Sequence, residues 1–119
     1  MIWAIIGIVL GLVVGNYLPF TYPDNYSLYV SIGILAAMDS VFGAVRASME
    51  DKYDNLVFLT GFLSNGVLAA FLSYWGDKMG VPLYYAPIFV FGGRLFSNFA
   101  VIRRLLIGRL QQDRRAEEE

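Results

Sequence analysis

The chain has 119 residues, enough for one domain; 57% of them are apolar and 16% charged, well short of the ~25% charged residues of ordinary soluble domains. Cysteine and histidine are both absent, which excludes disulfide frameworks, thiol nucleophiles, imidazole bases and the usual zinc and haem ligands. The net charge of -1 hides an asymmetry, because seven of the nine basic residues fall between Arg46 and Lys52 or after Ile102.

Four apolar spans follow in chain order, each about as long as the ~17–25 residues that cross ~30 Å of hydrocarbon. The first, Ile2 to Leu18, contains "GIVLGLVVG", which sets Gly7, Gly11 and Gly15 four residues apart as a small-residue stripe. It lacks a basic leader and a small-x-small cleavage site, so it reads as a retained packing helix. Its stripe faces either a second copy of the protein or another helix of the same chain. After "PFTYPDN" comes the second span, Tyr26 to Val45, with Asp39, Gly43 and Arg46 at spacings that share a helix face. The separator "RASMEDKYDN" carries Glu50, Asp51 and Asp54 against Lys52. These acids are the one cluster with metal-binding potential, and they read as a solvated loop with no metal. The third span, Leu56 to Trp75, places Gly61 and Asn65 on one face and Thr60 and Ser64 on the next. Beyond "GDKMGV" lies the fourth, Pro82 to Ile102, with Gly92 and Gly93 just before Arg94 and with Asn98 one turn later. That glycine pair lacks the spacing of a phosphate loop, and reads as a place for close helix approach.

The expected fold is therefore all-α and polytopic: four transmembrane helices with short loops, antiparallel between neighbours, over residues 1–104. Residues 105–119 form a charged tail that continues the last helix. Lysine and arginine set the orientation. With both termini cytoplasmic, Arg46, Lys52, Arg103, Arg104, Arg109, Arg114 and Arg115 lie inside and Lys78 lies outside. Tyr17, Tyr22, Tyr26, Tyr29, Tyr74, Trp75, Tyr84 and Tyr85 then gather at the outer rim as an aromatic belt. The inner arginines read first as a topology signal, with a secondary attraction to anionic lipid headgroups. Loop acids and tail arginines are electrostatically complementary, for each other or for a cytosolic partner.

The charges inside the spans need a reason. Counting the rise from Arg46, Asp39 is about 10 Å deep; counting from Arg103, Arg94 is about 13 Å deep. Opposite charges matched in depth, each costing about 2.5–3.5 kcal/mol alone, pack most cheaply against one another. Helices 2 and 4 should therefore meet through Asp39 and Arg94, with Arg46 a competing partner and Asn65 and Asn98 completing a polar layer. A structural lock is favoured over a proton path, because arginine stays protonated and no second carboxylate in the spans continues a relay.

"LAAMDSVFGAVRA", "YDNLVFLTGFLSN" and "VFGGRLFSNFAVIRR" together resemble the small basic protein family of bacterial inner-membrane proteins, a group often encoded near cell-division genes. The resemblance runs from "GIVLGLVVG" to Arg104 and implies a four-span bacterial inner-membrane protein with a link to division or envelope assembly. It implies no known catalytic activity, substrate or cofactor. The positions that carry over are Asp39, Gly43, Arg46, Tyr53, Gly61, Asn65, Gly92, Arg94, Asn98, Arg103 and Arg104. The chain departs from the family name, since its pI of 5.3 is lowered by the terminal "EEE".

The first functional expectation is a non-enzymatic scaffold or partner subunit, engaging lipids, membrane or cytosolic proteins or further copies of itself, and no nucleic acid. The second is a small transporter or proton- or ion-conducting subunit working through Asp39, Asn65, Arg94 and Asn98. An enzyme is not expected, because the spans hold one carboxylate and no histidine.

Overall fold

The computed structural model describes residues 2–19 and 24–119. It contains four helices: α1 (Ile2–Tyr17), α2 (Asp24–Met49), α3 (Asn55–Met79) and α4 (Tyr85–Glu118). Most of the expected separator "PFTYPDN", including Tyr22 of the aromatic rim, lies outside the described residues.

Local chemistry explains where the helices stop. Asp54 has extended backbone and its Oδ1 accepts the Val57 N–H at 2.9 Å, so it N-caps α3. At the other end Gly80 takes φ 67°, a left-handed conformation cheap only for glycine, and Val81 N–H reaches back to the Gly76 carbonyl at 2.9 Å. Pro82 follows at once and the chain turns into α4. Gly76 has a different reason to be glycine: a Cβ there would sit 2.6 Å from the Val81 carbonyl oxygen. Between α2 and α3, Asp51 carries φ 58°, which a short acidic side chain tolerates better than a branched one.

α2 is the centre of the molecule. It packs most extensively against α4 and also against α3. Ile32, Ala36, Ala69 and Phe91 form the buried apolar cluster, where the two alanines let α2 and α3 approach closely. All four lie toward the end of the bundle away from the 50–54 turn. Around the bundle, large apolar side chains such as Leu63, Val67, Phe89 and Phe96 are exposed. Exposed apolar surface on this scale suits hydrocarbon rather than water. α2, α3 and α4 are each long and apolar enough to cross a membrane.

α1 differs from the expected first span in two respects. Its 16 residues rise roughly 24 Å, short of ~30 Å of hydrocarbon. It also makes no extensive contact with the bundle among the described residues, and almost every described side chain in it is exposed. α4, by contrast, runs unbroken through Gly92, Gly93 and the whole charged tail.

Candidate functional site

The site is built on the face of α2 that alternates between α3 and α4. Asp39 is fully buried there, and Arg94 Nε from α4 lies 3.5 Å from its Oδ1. The contact is an ion pair without hydrogen-bond geometry: neither carboxylate oxygen of Asp39 has a hydrogen-bond partner among the described residues. The two partners differ sharply, since the Arg94 side chain is 52% exposed. A carboxylate in this position depends on one guanidinium for nearly all its compensation, because charge removed from water must be paired or it is strongly destabilising.

Arg46 does not compete for Asp39. Its Nε lies 3.4 Å from Glu50 Oε1 one turn along α2, and its Nη1 donates to Asn98 Oδ1 at 3.3 Å. The expected single layer is therefore two. Asp39 and Arg94 form the deeper one; Glu50, Arg46 and the buried Asn98 form a second, nearer the 50–54 turn. Gly43 lies between them, and a Cβ added to it would meet Asn98 Nδ2 at 3.5 Å, an ordinary van der Waals contact. Phe42 and Phe99 add a tilted ring contact at 6.3 Å beside it.

Asn65 is half-buried and makes no side-chain hydrogen bond among the described contacts. It lines a cleft of about 210 Å³ whose wall also includes Asp39, Ser40, Gly61, Lys52 and Arg94. Tyr53 stands at the cleft's loop end, where its hydroxyl donates to Asn55 Oδ1 at 3.2 Å and its ring packs 6.2 Å from Phe58. Glu50, Asp51 and Asp54 do not assemble into a metal-holding group among the described residues. Asp54 is engaged in capping α3.

The remaining positions singled out by sequence have different surroundings. Gly7, Gly11, Gly15, Gly61, Gly92 and Gly93 each have open space where a Cβ would lie, so among the described residues no backbone closes on them. Arg103 and Arg104 are exposed. The contact between tail and turn is also not the acid–base pairing expected: Arg109 Nη2 donates to the Met49 carbonyl at 3.1 Å, satisfying the C-terminal end of α2.

Sequence reasoning gathered Tyr29, Tyr74 and Lys78 at the opposite end of the bundle but missed the contacts they make there. Tyr29 on α2 donates its hydroxyl to Asp77 on α3, and Lys78 lies 5.5 Å above the Tyr74 ring. Buried Ser73 is satisfied locally by the Ala69 carbonyl at 2.8 Å. The depth counting that matched Asp39 with Arg94 would have matched Tyr29 with Asp77, had it been applied to polar pairs at the rim.

Comparison with known proteins places these residues in a family. The family model described as "Protein of unknown function (DUF1290)" matches residues 22–107. The protein named "Small basic protein" of Bacillus subtilis (strain 168) is 47% identical over 103 residues, covering 87% of this chain and 85% of its own. Uncharacterized proteins of Mycobacterium bovis and Mycobacterium tuberculosis are 42% identical over 105 residues, covering 87% of this chain and 84% of theirs. No solved structure matches the chain. On the matched residues, which contain the whole Asp39–Arg94 site, the chain belongs to the small basic protein family, the family of unknown function DUF1290.

Proposed function

We propose that this protein is a non-enzymatic scaffold or partner subunit of the bacterial inner membrane, with both termini cytoplasmic and α1 as a fourth span. In this reading α2, α3 and α4 form a rigid unit held by Asp39 and Arg94, and α1 is the element that other membrane helices engage. One observation carries the proposal: among the described residues α1 makes no extensive contact with another helix, and its Gly7, Gly11 and Gly15 stripe has open space along it. Small residues let helix backbones approach closely in lipid, where packing rather than hydrophobicity drives association. The partner is a second copy or another envelope protein, and the family resemblance points to division or envelope assembly as the setting.

Gly11→Cys tests this by crosslinking in intact membranes. Adducts, either a dimer or a conjugate with another membrane protein, are the expected result. If the cysteine is accessible in detergent yet forms no adduct in membranes, α1 has no partner and the scaffold reading fails.

The conduit reading draws on the cleft that reaches Arg94 and Asn65. Against it stands the apolar cluster of Ile32, Ala36, Ala69 and Phe91, which occupies the bundle beyond that cleft. Proton or ion flux in vesicles containing the purified protein, lost on Asp39→Asn, would favour the conduit over the scaffold.

A further inference from the structure

We infer that the cleft between α2 and α3 is a water-filled vestibule, open toward the 50–54 turn and ending blind at Asp39 and Arg94. The inference is independent of which partner, if any, α1 engages.

The argument starts from Arg94. Its side chain is half-exposed at the depth of the spans, its one ion contact is with Asp39, and its guanidinium makes no hydrogen bond among the described residues. A guanidinium has five N–H donors and stays charged, so exposure to hydrocarbon would leave a charge and several donors unsolvated. Arginines in spans avoid that cost by facing protein or a water-filled cavity. Arg94 lines such a space. The cleft of about 210 Å³ has room for several waters at ~30 Å³ each. Polar groups occur along its length: Lys52 and Tyr53 at the loop end, Ser40 and Asn65 at depth.

The buried end supplies an independent observation. Asp39 is fully buried in the cleft wall, with both carboxylate oxygens lacking hydrogen-bond partners. Those oxygens present no surface, so water reaches the ion pair only through Arg94. Water in the cleft hydrates the cation, while the cation shields the anion.

The vestibule is one-sided because the lining changes at Arg94. A neighbouring cavity of about 140 Å³ shares Asn65 and Arg94, but its other walls include Leu68, Leu72, Val90 and Phe91. Apolar cavities of this kind stay dry or fill with hydrocarbon. The buried cluster of Ile32, Ala36, Ala69 and Phe91 closes the bundle on the same level.

The chain contains no cysteine, so each introduced thiol is the sole one. The test is reaction of single-cysteine variants in sealed vesicles of either orientation with a charged, membrane-impermeant methanethiosulfonate. Ala47→Cys and Gly61→Cys probe the cleft; Gly61 has open space for the new side chain. Leu68→Cys probes the apolar cavity, Val67→Cys the exposed apolar face of α3, and Lys52→Cys identifies the loop side. Both cleft thiols are expected to react from the side that labels Lys52→Cys, at least roughly tenfold faster than Val67→Cys and Leu68→Cys, and not from the other side. Failure of either cleft thiol to exceed Val67→Cys, or equal reaction from both sides, overturns the inference. Detergent-solubilised samples, in which every thiol should react, confirm chemical competence, and far-ultraviolet circular dichroism of the same samples confirms that the variants are folded.

Discussion

The asymmetry of the Asp39–Arg94 pair makes a prediction about which partner matters more. Removing Arg94 leaves a fully buried carboxylate with no hydrogen bond to soften its loss, so Arg94→Ala should cost about 3–5 kcal/mol. Asp39→Asn leaves behind a half-exposed guanidinium lining the cleft, where screening reduces the penalty to about 1–2 kcal/mol. Once one charge is gone, losing the other relieves an uncompensated group. The double variant should therefore be more stable than the sum of the single losses by roughly 2 kcal/mol or more. Unfolding of the purified protein in mixed micelles, titrated with a denaturing detergent and followed by far-ultraviolet circular dichroism, gives the four free energies of the cycle. A double variant additive within about 0.5 kcal/mol would show that the pair is not coupled. An Asp39→Asn loss larger than that of Arg94→Ala would contradict the burial argument even if coupling were found.

Substitutions at four further positions probe the elements around this pair. Gly76→Ala forces a methyl to within 2.6 Å of the Val81 carbonyl, so the α3–α4 turn must shift at a cost of about 1–3 kcal/mol in the same unfolding assay. Gly61→Ala, with open space at its Cβ, should be neutral or slightly stabilising through helix propensity, and a matching loss there would discredit the distinction. Asp54→Ala removes the α3 N-cap and should cost about 1 kcal/mol, with Asp54→Ser recovering most of it. Tyr29→Phe deletes the hydrogen bond to Asp77 while keeping the ring, and should lower stability by about 1 kcal/mol without changing the Asp39–Arg94 coupling.

The helices α2, α3 and α4 were legible because hydrophobic length is a strong signal and because charge and turn residues punctuate it. Depth counting brought Asp39 opposite Arg94, since helical rise converts sequence distance into height with little error. Height says nothing about azimuth. That is why the polar layer was expected as one cluster, whereas Arg46 turns toward Glu50 and Asn98 instead. Glycine spacing proved a poor guide to contact within the chain for a related reason. A stripe such as Gly7, Gly11 and Gly15 identifies a face able to receive a helix without saying which helix arrives, and among the described residues none closes on these glycines. Gly76 and Asp54 were readable in principle. An aspartate before an apolar run is an N-cap signal, and glycine shortly before Gly–Val–Pro marks a tight reversal.

The proximity of Asp39 to Arg94 is most directly measured by solid-state NMR of the protein in bilayers, with dipolar recoupling between the Asp39 side-chain carboxyl carbon and Arg94 Nε. The account predicts a strong coupling, as befits Nε lying 3.5 Å from Asp39 Oδ1. No detectable coupling in the native protein would contradict it, since α2 and α4 would then be joined by something other than this pair.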